Sequence, residues 1–165
     1  MRNRATFADD EEGAVAIEFA VLAVPFFLVL VAILEIAVLL TASMQFEHAV
    51  DRVTRRVMTA EVANKEPAIR NSLCGELVFP VDCTRIRIDY REIADVGAFD
   101  LPDPVASGAV NAAAFTFSTT SNPSFFSLRV GYEWPIVMQP FVFFLANLNN
   151  DSHFIVGTAL ARVER

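Results

Sequence analysis

GAVAIEFAVLAVPFFLVLVAILEIAVLL, from Gly13 to Leu40, is the stretch from which the rest of the chain has to be read. From Phe19 to Leu34, sixteen residues pass without a charge or a polar group, and Ile36 to Leu40 extend the run beyond Glu35. Roughly 20 apolar residues in a helix cross a hydrocarbon core about 30 Å thick, so the stretch is long enough to span. A secretory signal would carry an apolar core of only about 7 to 15 residues before a small-residue cleavage site, and the length therefore predicts a retained anchor. Glu18 and Glu35 lie about 26 Å apart at about 1.5 Å per helical residue, which lets each carboxylate sit near an opposite interface. Glu35 can then simply mark the outer end of the span, or it can be a functional intramembrane acid. Glu18 is less easily read as a boundary, because Asp9, Asp10, Glu11 and Glu12 already end the apolar run. Pro25 removes one helical hydrogen bond inside the stretch and predicts a kink.

Beyond the membrane the apolar pattern narrows to a stripe. From Thr41 to Ala63, Phe46, Val50, Val53 and Val57 recur at helical spacing on one face. Asp51 and Arg55 form an i,i+4 pair on the charged side, with Glu47, Arg52 and Arg56 around them. Asn64 and Pro67 supply stop signals. Anchor and stem together predict one helix of about 50 residues. Its stripe can pack on the protein's own sheet or on a partner.

After the stem the period changes from helical to alternating. Thr84 to Tyr90 sets Ile86, Ile88 and Tyr90 against Arg85, Arg87 and Asp89, the pattern of a half-buried strand. Ala114 to Thr119, Phe125 to Trp134 and His153 to Val163 are further strand candidates. Gly97, Pro102, Pro104 and Gly108 punctuate a loop between the first two. One long helix followed by three or four strands predicts an α+β fold with a small antiparallel sheet. Pro135 to Leu148 is nearly all apolar but too short to span. It is either buried in the domain or a contact surface for a membrane or partner, with Trp134, Phe141 and Phe144 as candidate contact residues beside the stem stripe.

Several residues carry a resemblance. Gly13-Ala-Val-Ala-Ile-Glu18-Phe19 resembles the prepilin peptidase site of type IV pilins and pseudopilins. Glu12-Gly13-Ala14, Glu18-Phe19-Ala20, Pro25 seven residues on and Glu35 resemble the TadE/TadG family of bacterial tight-adherence (Flp) pilus systems. Val130-Gly-Tyr-Glu-Trp-Pro135 and the terminal Ala-Arg-Val-Glu164 are similar to that family's late strands. The resemblance implies a pilin-like architecture and a cut between Gly13 and Ala14 by prepilin peptidase, leaving Glu18 fifth in the mature chain to pair with the free amine of a neighbouring subunit. It implies partners among pseudopilins, an inner-membrane platform and a pilin, and divides the chain into a cytoplasmic leader (1–13), a transmembrane helix (14–40), a stem (41–66) and a periplasmic domain (67–165). Glu12 stands where many pilins carry lysine or arginine, and an uncleaved single-pass scaffold of the machine is the alternative.

Lysine and arginine counts point weakly against this orientation, with Arg2 and Arg4 before the span and Arg52, Arg55 and Arg56 after it. The resemblance and the cysteines outweigh them. Cys74 and Cys83 are the only two cysteines and lie on the C-terminal side, which suits one disulfide in an oxidising periplasm. Two free buried thiols or half a metal site are the alternatives, though no Cys-x-x-Cys or nearby histidine completes a ligand set.

The net charge of −7 argues against nucleic-acid binding. About 120 residues remain outside leader and anchor, enough for one small domain, and fifteen phenylalanines supply it with apolar mass. His48 and His153 fit no metal-ligand or nucleophile spacing, Asp151-Ser152-His153 is a polar turn rather than a triad, and no glycine-rich phosphate loop occurs. A membrane-anchored periplasmic enzyme is thus a remote alternative, and no cofactor or metal is expected.

Overall fold

The computed structural model describes residues 11–93, 100–120, 123–138 and 141–163, with side chains from Val15 onward. The expected leader before Glu11, the side chains of Gly13 and Ala14, Gly97 in the loop and Glu164 lie outside the described residues.

An apolar segment withdrawn from water must satisfy its own backbone, and a helix does so within one segment. Helix α1 accordingly runs without interruption over 48 residues, Glu11–Met58, and passes through Pro25. Its length is about 72 Å at the helical rise. Thr41 and Ser43, the first hydroxyls after the apolar run, donate to the carbonyls of Ala37 and Leu39 at 2.7 and 2.9 Å, so neither leaves a polar group unpaired there. The stem ends at Met58 rather than at the expected Ala63. Ala60 adopts a left-handed conformation (φ 58°), and the amides of Glu61 and Val62 turn back to the Arg56 carbonyl at 2.9 and 3.1 Å.

Pro67, read as a stop, starts a second helix instead. Helix α2 (Glu66–Glu76) carries the proline in its first turn, where the missing N–H costs nothing. Ile69 and Leu73, four apart, are its buried face. Glu76 receives Arg52 and Arg56 of α1, each at 2.9 Å. Asp51 and Arg55 form no ion pair among the described residues. Arg52 and Arg56 find a better partner because α2 folds back beside the stem.

Four strands form a mixed sheet in the order β4-β1-β5-β6. Strand β1 (Arg87–Ile93) pairs antiparallel with β5 (Phe125–Pro135), which pairs antiparallel with β6 (Ser152–Arg162) along its full length. Strand β4 (Phe117–Ser118) lies parallel to β1, so the sheet is not purely antiparallel. Two further short strands, β2 (Val105–Ala106) and β3 (Ala109–Val110), form a separate hairpin. Its two turn residues, Ser107 and Gly108, both have positive φ (53° and 72°), the requirement of a tight two-residue turn that matches strand twist.

The stem stripe closes the core. Leu39, Ala42, Phe46, Ala49, Val50 and Val53 are buried against the face made by Ile88, Tyr90, Phe126, Leu128, Val130, Tyr132 and Ile155. Phe46 stacks on Tyr132 at 5.6 Å between ring centroids. Gly157 of β6 permits the approach, since a Cβ there would meet Val50 Cγ2 at 3.1 Å and the Phe46 carbonyl at 3.3 Å. Phe46, Val50 and Val53, expected to face either their own sheet or a partner, face the sheet and are core residues. Val57 packs at the margin of the same cluster.

Cys74 at the end of α2 and Cys83, in a 3-10 turn just before β1, are joined in a disulfide with Cα atoms 6.0 Å apart. Closing a loop of this length stabilises the fold by about 2–3 kcal/mol in the chain-entropy account.

The opposite face of β1 and β5 is covered too, which the alternating pattern did not indicate. Asp89 and Arg129 are register partners and are 0% and 4% exposed. Arg129 Nη2 donates to Asp89 Oδ2 at 2.9 Å, and Arg91 Nε donates to Oδ1 at 2.8 Å. The same guanidinium of Arg129 reaches the carbonyls of Pro102 and Ala114 at 2.7 and 2.6 Å and lies over the Phe115 ring. Asp89 also accepts the Thr116 amide at 3.1 Å. The 100–116 segment is thus held over the sheet by one buried charge network. Tyr90, on the core side, donates its hydroxyl to Glu92 at 3.1 Å, and burial first, then the Glu92 charge, raises its pKa well above the ordinary phenol range.

Candidate membrane and assembly interface

The lower half of α1 stands clear of the domain. From Val15 to Leu34 nearly every large apolar side chain is exposed, including Phe19, Phe26 and Phe27. The most apolar 18-residue window of Val15–Met58 has a mean hydropathy of 2.8, and none of it is buried within the protein. This helix is long and apolar enough to cross a membrane. Glu18 is exposed on it, one carboxylate amid exposed apolar side chains. The twenty residues from Val15 to Leu34 cover about 30 Å, the thickness of a hydrocarbon core, before Glu35 is reached.

Glu35 does more than mark an end. Its Oε1 accepts the backbone amides of Val137 at 2.6 Å and Met138 at 3.1 Å, a contact bridging 102 and 103 residues of sequence. The cause lies in β5. Pro135 contributes no N–H, and Ile136 makes the last ladder bond, to the Asp151 carbonyl at 3.3 Å. The next two amides have left the sheet beside an apolar helix, where an unmet donor is expensive, and the carboxylate supplies the acceptor for both. Around this contact Val31, Leu34 and Val38 of the helix face Trp134, Val137 and Met138 across a cleft of about 350 Å³. Glu35 Oε2 is buried and has no partner among the described residues.

This tether yields a direct expectation. Glu35→Ala leaves two amides without an acceptor, at about 1–3 kcal/mol each, so exchange of the Val137 and Met138 amides should quicken by tenfold or more, about tenfold per 1.4 kcal/mol. Glu35→Gln should largely retain protection, because one oxygen takes both bonds. Hydrogen exchange on the detergent-solubilised chain measures this, and unchanged protection in Glu35→Ala would remove the tether.

The described part of Pro135 to Leu148 divides between the two expectations for that stretch. Ile136 and Leu148 are buried, while Val142 and Leu145 of the short helix α3 (Val142–Leu145) pack against the core. Trp134 is half-buried and meets Phe79 edge-on at 5.7 Å, and Phe141 is half-buried as well. Val137, Phe143 and Phe144 are 80%, 87% and 79% exposed. The loop is nevertheless tied down: His153 Nδ1 lies 2.6 Å from the Leu145 carbonyl, and Asn147 Oδ1 accepts the Phe154 amide at 2.7 Å. His153 therefore has a structural engagement.

A polar cleft of about 490 Å³ is lined by Glu66, Arg70, Arg85, Arg87 and Glu133 among others. Its charges are engaged with one another. Arg70 holds Glu66 at 2.7 Å and the carbonyls of Cys83 and Ile86, and Glu133 receives Arg85 and Arg87 at 4.0 and 3.5 Å. Among the described residues no three His, Cys, Asp or Glu converge as metal ligands.

Residues 13–55 match the model of a family described as TadE-like protein. No curated protein and no solved structure matches the chain. The matched segment lies within the long helix, from near its start to near the end of its sheet-packed stem. A TadE-like segment on a helix able to cross a membrane fits a membrane-anchored protein associated with the tight-adherence pilus.

Proposed function

We propose that this chain is a pseudopilin-like component of tight-adherence pilus assembly, anchored once in the bacterial inner membrane with its sheet domain in the periplasm. The observation that carries the reading is the division of α1 into an exposed apolar half bearing Glu18 and a stem half buried on the sheet, within the TadE-like match. The stem packs the domain onto the helix, and the exposed surface of that helix is the part left for lipid and for other helices. The disulfide suits an oxidising compartment. In this reading prepilin peptidase cuts between Gly13 and Ala14, and the chain then meets other pseudopilins, the platform protein and the pilin through its helix. The function is contact and assembly rather than catalysis.

Glycine allows a peptidase close access to the backbone it cuts. Gly13→Leu should therefore abolish the mobility shift produced by co-expressed prepilin peptidase, and N-terminal sequencing of the wild-type product should begin at Ala14. Glu12, where many pilins carry a basic residue, favours one competing reading, an uncleaved single-pass scaffold. Wild-type protein that keeps its original N-terminus in the presence of active peptidase would establish that reading instead.

A further inference from the structure

We propose that the segments Trp134–Met138 and Phe141–Ala146 form a lipid-contacting foot: Val137, Phe143 and Phe144 enter the outer leaflet beside the anchor helix and fix the depth at which the domain sits on the membrane. The inference rests on the membrane anchoring proposed above and goes beyond it, since a single helix leaves the domain's height and tilt unspecified.

Three observations carry it. The first is continuity. Glu35 binds the Val137 and Met138 amides, so the loop starts at the level where the exposed apolar surface of α1 gives way to the buried stem. The helix reaches that level after about 30 Å of lipid-compatible length, which places the loop at the outer boundary of the hydrocarbon. The second is composition. From Trp134 to Ala146 no residue is charged, and the stretch opens on the chain's only tryptophan, a residue type favoured at membrane interfaces. The third is selective exposure. Of the five large exposed apolar side chains outside α1 among the described residues, Val137, Phe143 and Phe144 belong to this stretch, and Val78 adjoins Phe79, which packs on Trp134. Val142 and Leu145 of the same α3 turn inward, so α3 has one face in the core and two phenylalanine rings directed outward.

Lipid rather than another protein is the occupant these features select. The foot is contiguous with a surface that must itself face lipid, it offers no charge for pairing, and its amides nearest the helix are already satisfied by Glu35. Amphipathic surface elements bury an apolar face a short way into the headgroup and acyl boundary in just this manner.

The test uses the full chain in phosphatidylcholine and phosphatidylglycerol vesicles. Because Trp134 is the only tryptophan, the combination of Trp134→Phe with Phe144→Trp places one indole at the tip of the foot. Thr158→Trp in the same background places one on the exposed face of β6 as a reference. Lipid brominated near the top of its acyl chains should cut emission from the foot by roughly twofold or more, while aqueous iodide leaves it largely intact. The β6 indole should show the reverse. Iodide quenching of the foot in chains that float with the vesicles overturns the proposal and leaves the anchor standing. Protection from both quenchers overturns it in favour of a protein cover, a second copy or a partner. A chain that does not float overturns anchor and foot together. Phe143→Trp in the same background repeats the reading should the first variant fold poorly.

Discussion

Asp89→Ala should destabilise the sheet domain by about 3–5 kcal/mol, the range for breaking a buried ion pair by removing one partner. Against a total of about 5–15 kcal/mol for a domain, that is a large share. The magnitude follows from what remains. Arg129 keeps the Pro102 and Ala114 carbonyls but loses the only carboxylate that meets it among the described residues, and Arg91 loses its ion-pair partner at the same point. The Thr116 amide loses its acceptor as well, so the 100–116 segment should loosen from the sheet. Asp89→Asn keeps the shape and most of the hydrogen-bond acceptance, and should cost less, about 1–3 kcal/mol. Removing both charges together as Asp89→Leu with Arg129→Met should recover only part of the loss: apolar replacement of a buried pair is often neutral or better, but Arg91, the Thr116 amide and the Pro102 carbonyl would still lack the partners they have now. Denaturant unfolding of the four chains in one detergent measures all of these. Equal stability of Asp89→Ala and wild type would mean that water reaches the pair and screens it.

That network also marks where sequence reading runs out. The anchor and stem were legible because each has a period that one element imposes: an unbroken apolar run for lipid, then Phe46, Val50 and Val53 at helical spacing for the core. The strands Phe125–Pro135 and Ser152–Arg162 were legible within a residue or so for the same reason. Asp89 was not, because an acid in an alternating strand looks solvent-facing until a distant segment is known to cover it, and the Thr116 amide that it accepts lies 27 residues further on. Helix α2 was missed because proline is both a stop and a first-turn residue, and only Ile69 and Leu73 remained to betray its face. Strand β4 falls inside the Ala114 to Thr119 candidate, but it is only Phe117–Ser118, too short for its parallel pairing to be read from any period. Glu35 was recognised as special by its position in an apolar run, but its role depended on two amides 102 and 103 residues away whose need for an acceptor arises only once β5 has ended. Backbone donors leave no mark in a sequence. Of the two exposed rings, Phe144 stood among the candidate contact residues and Phe143 did not, because both lie in one apolar run with the buried Ile136 and Leu148.

Glu18→Gln should leave insertion and stability intact yet abolish or sharply reduce piliation in a strain lacking the native copy. Removing a carboxylate from an apolar helix face eases burial in lipid, by up to about 2.5–3.5 kcal/mol at mid-membrane and less near an interface. The fold of the domain cannot suffer, since Glu18 is exposed and lies far along α1 from Leu39, the first of the stem's buried residues. What the substitution removes is an anion held where water is scarce, and an anion there gains most from a cation of another chain. After the proposed cut, Ala14 would supply one: an α-amino group with an ordinary pKa near 8, mostly charged at neutral pH. The expected signature is therefore a split result, with normal cleavage and membrane recovery but loss of the inner-leaflet crosslink between residue 18 and the N-terminus of a neighbouring subunit. Glu18→Asp should restore part of it, since the charge returns on a shorter arm. Normal pili from Glu18→Gln would leave the carboxylate as a boundary marker, and the contacts that drive assembly would then have to be made by the exposed apolar side chains of α1 between Val15 and Leu34.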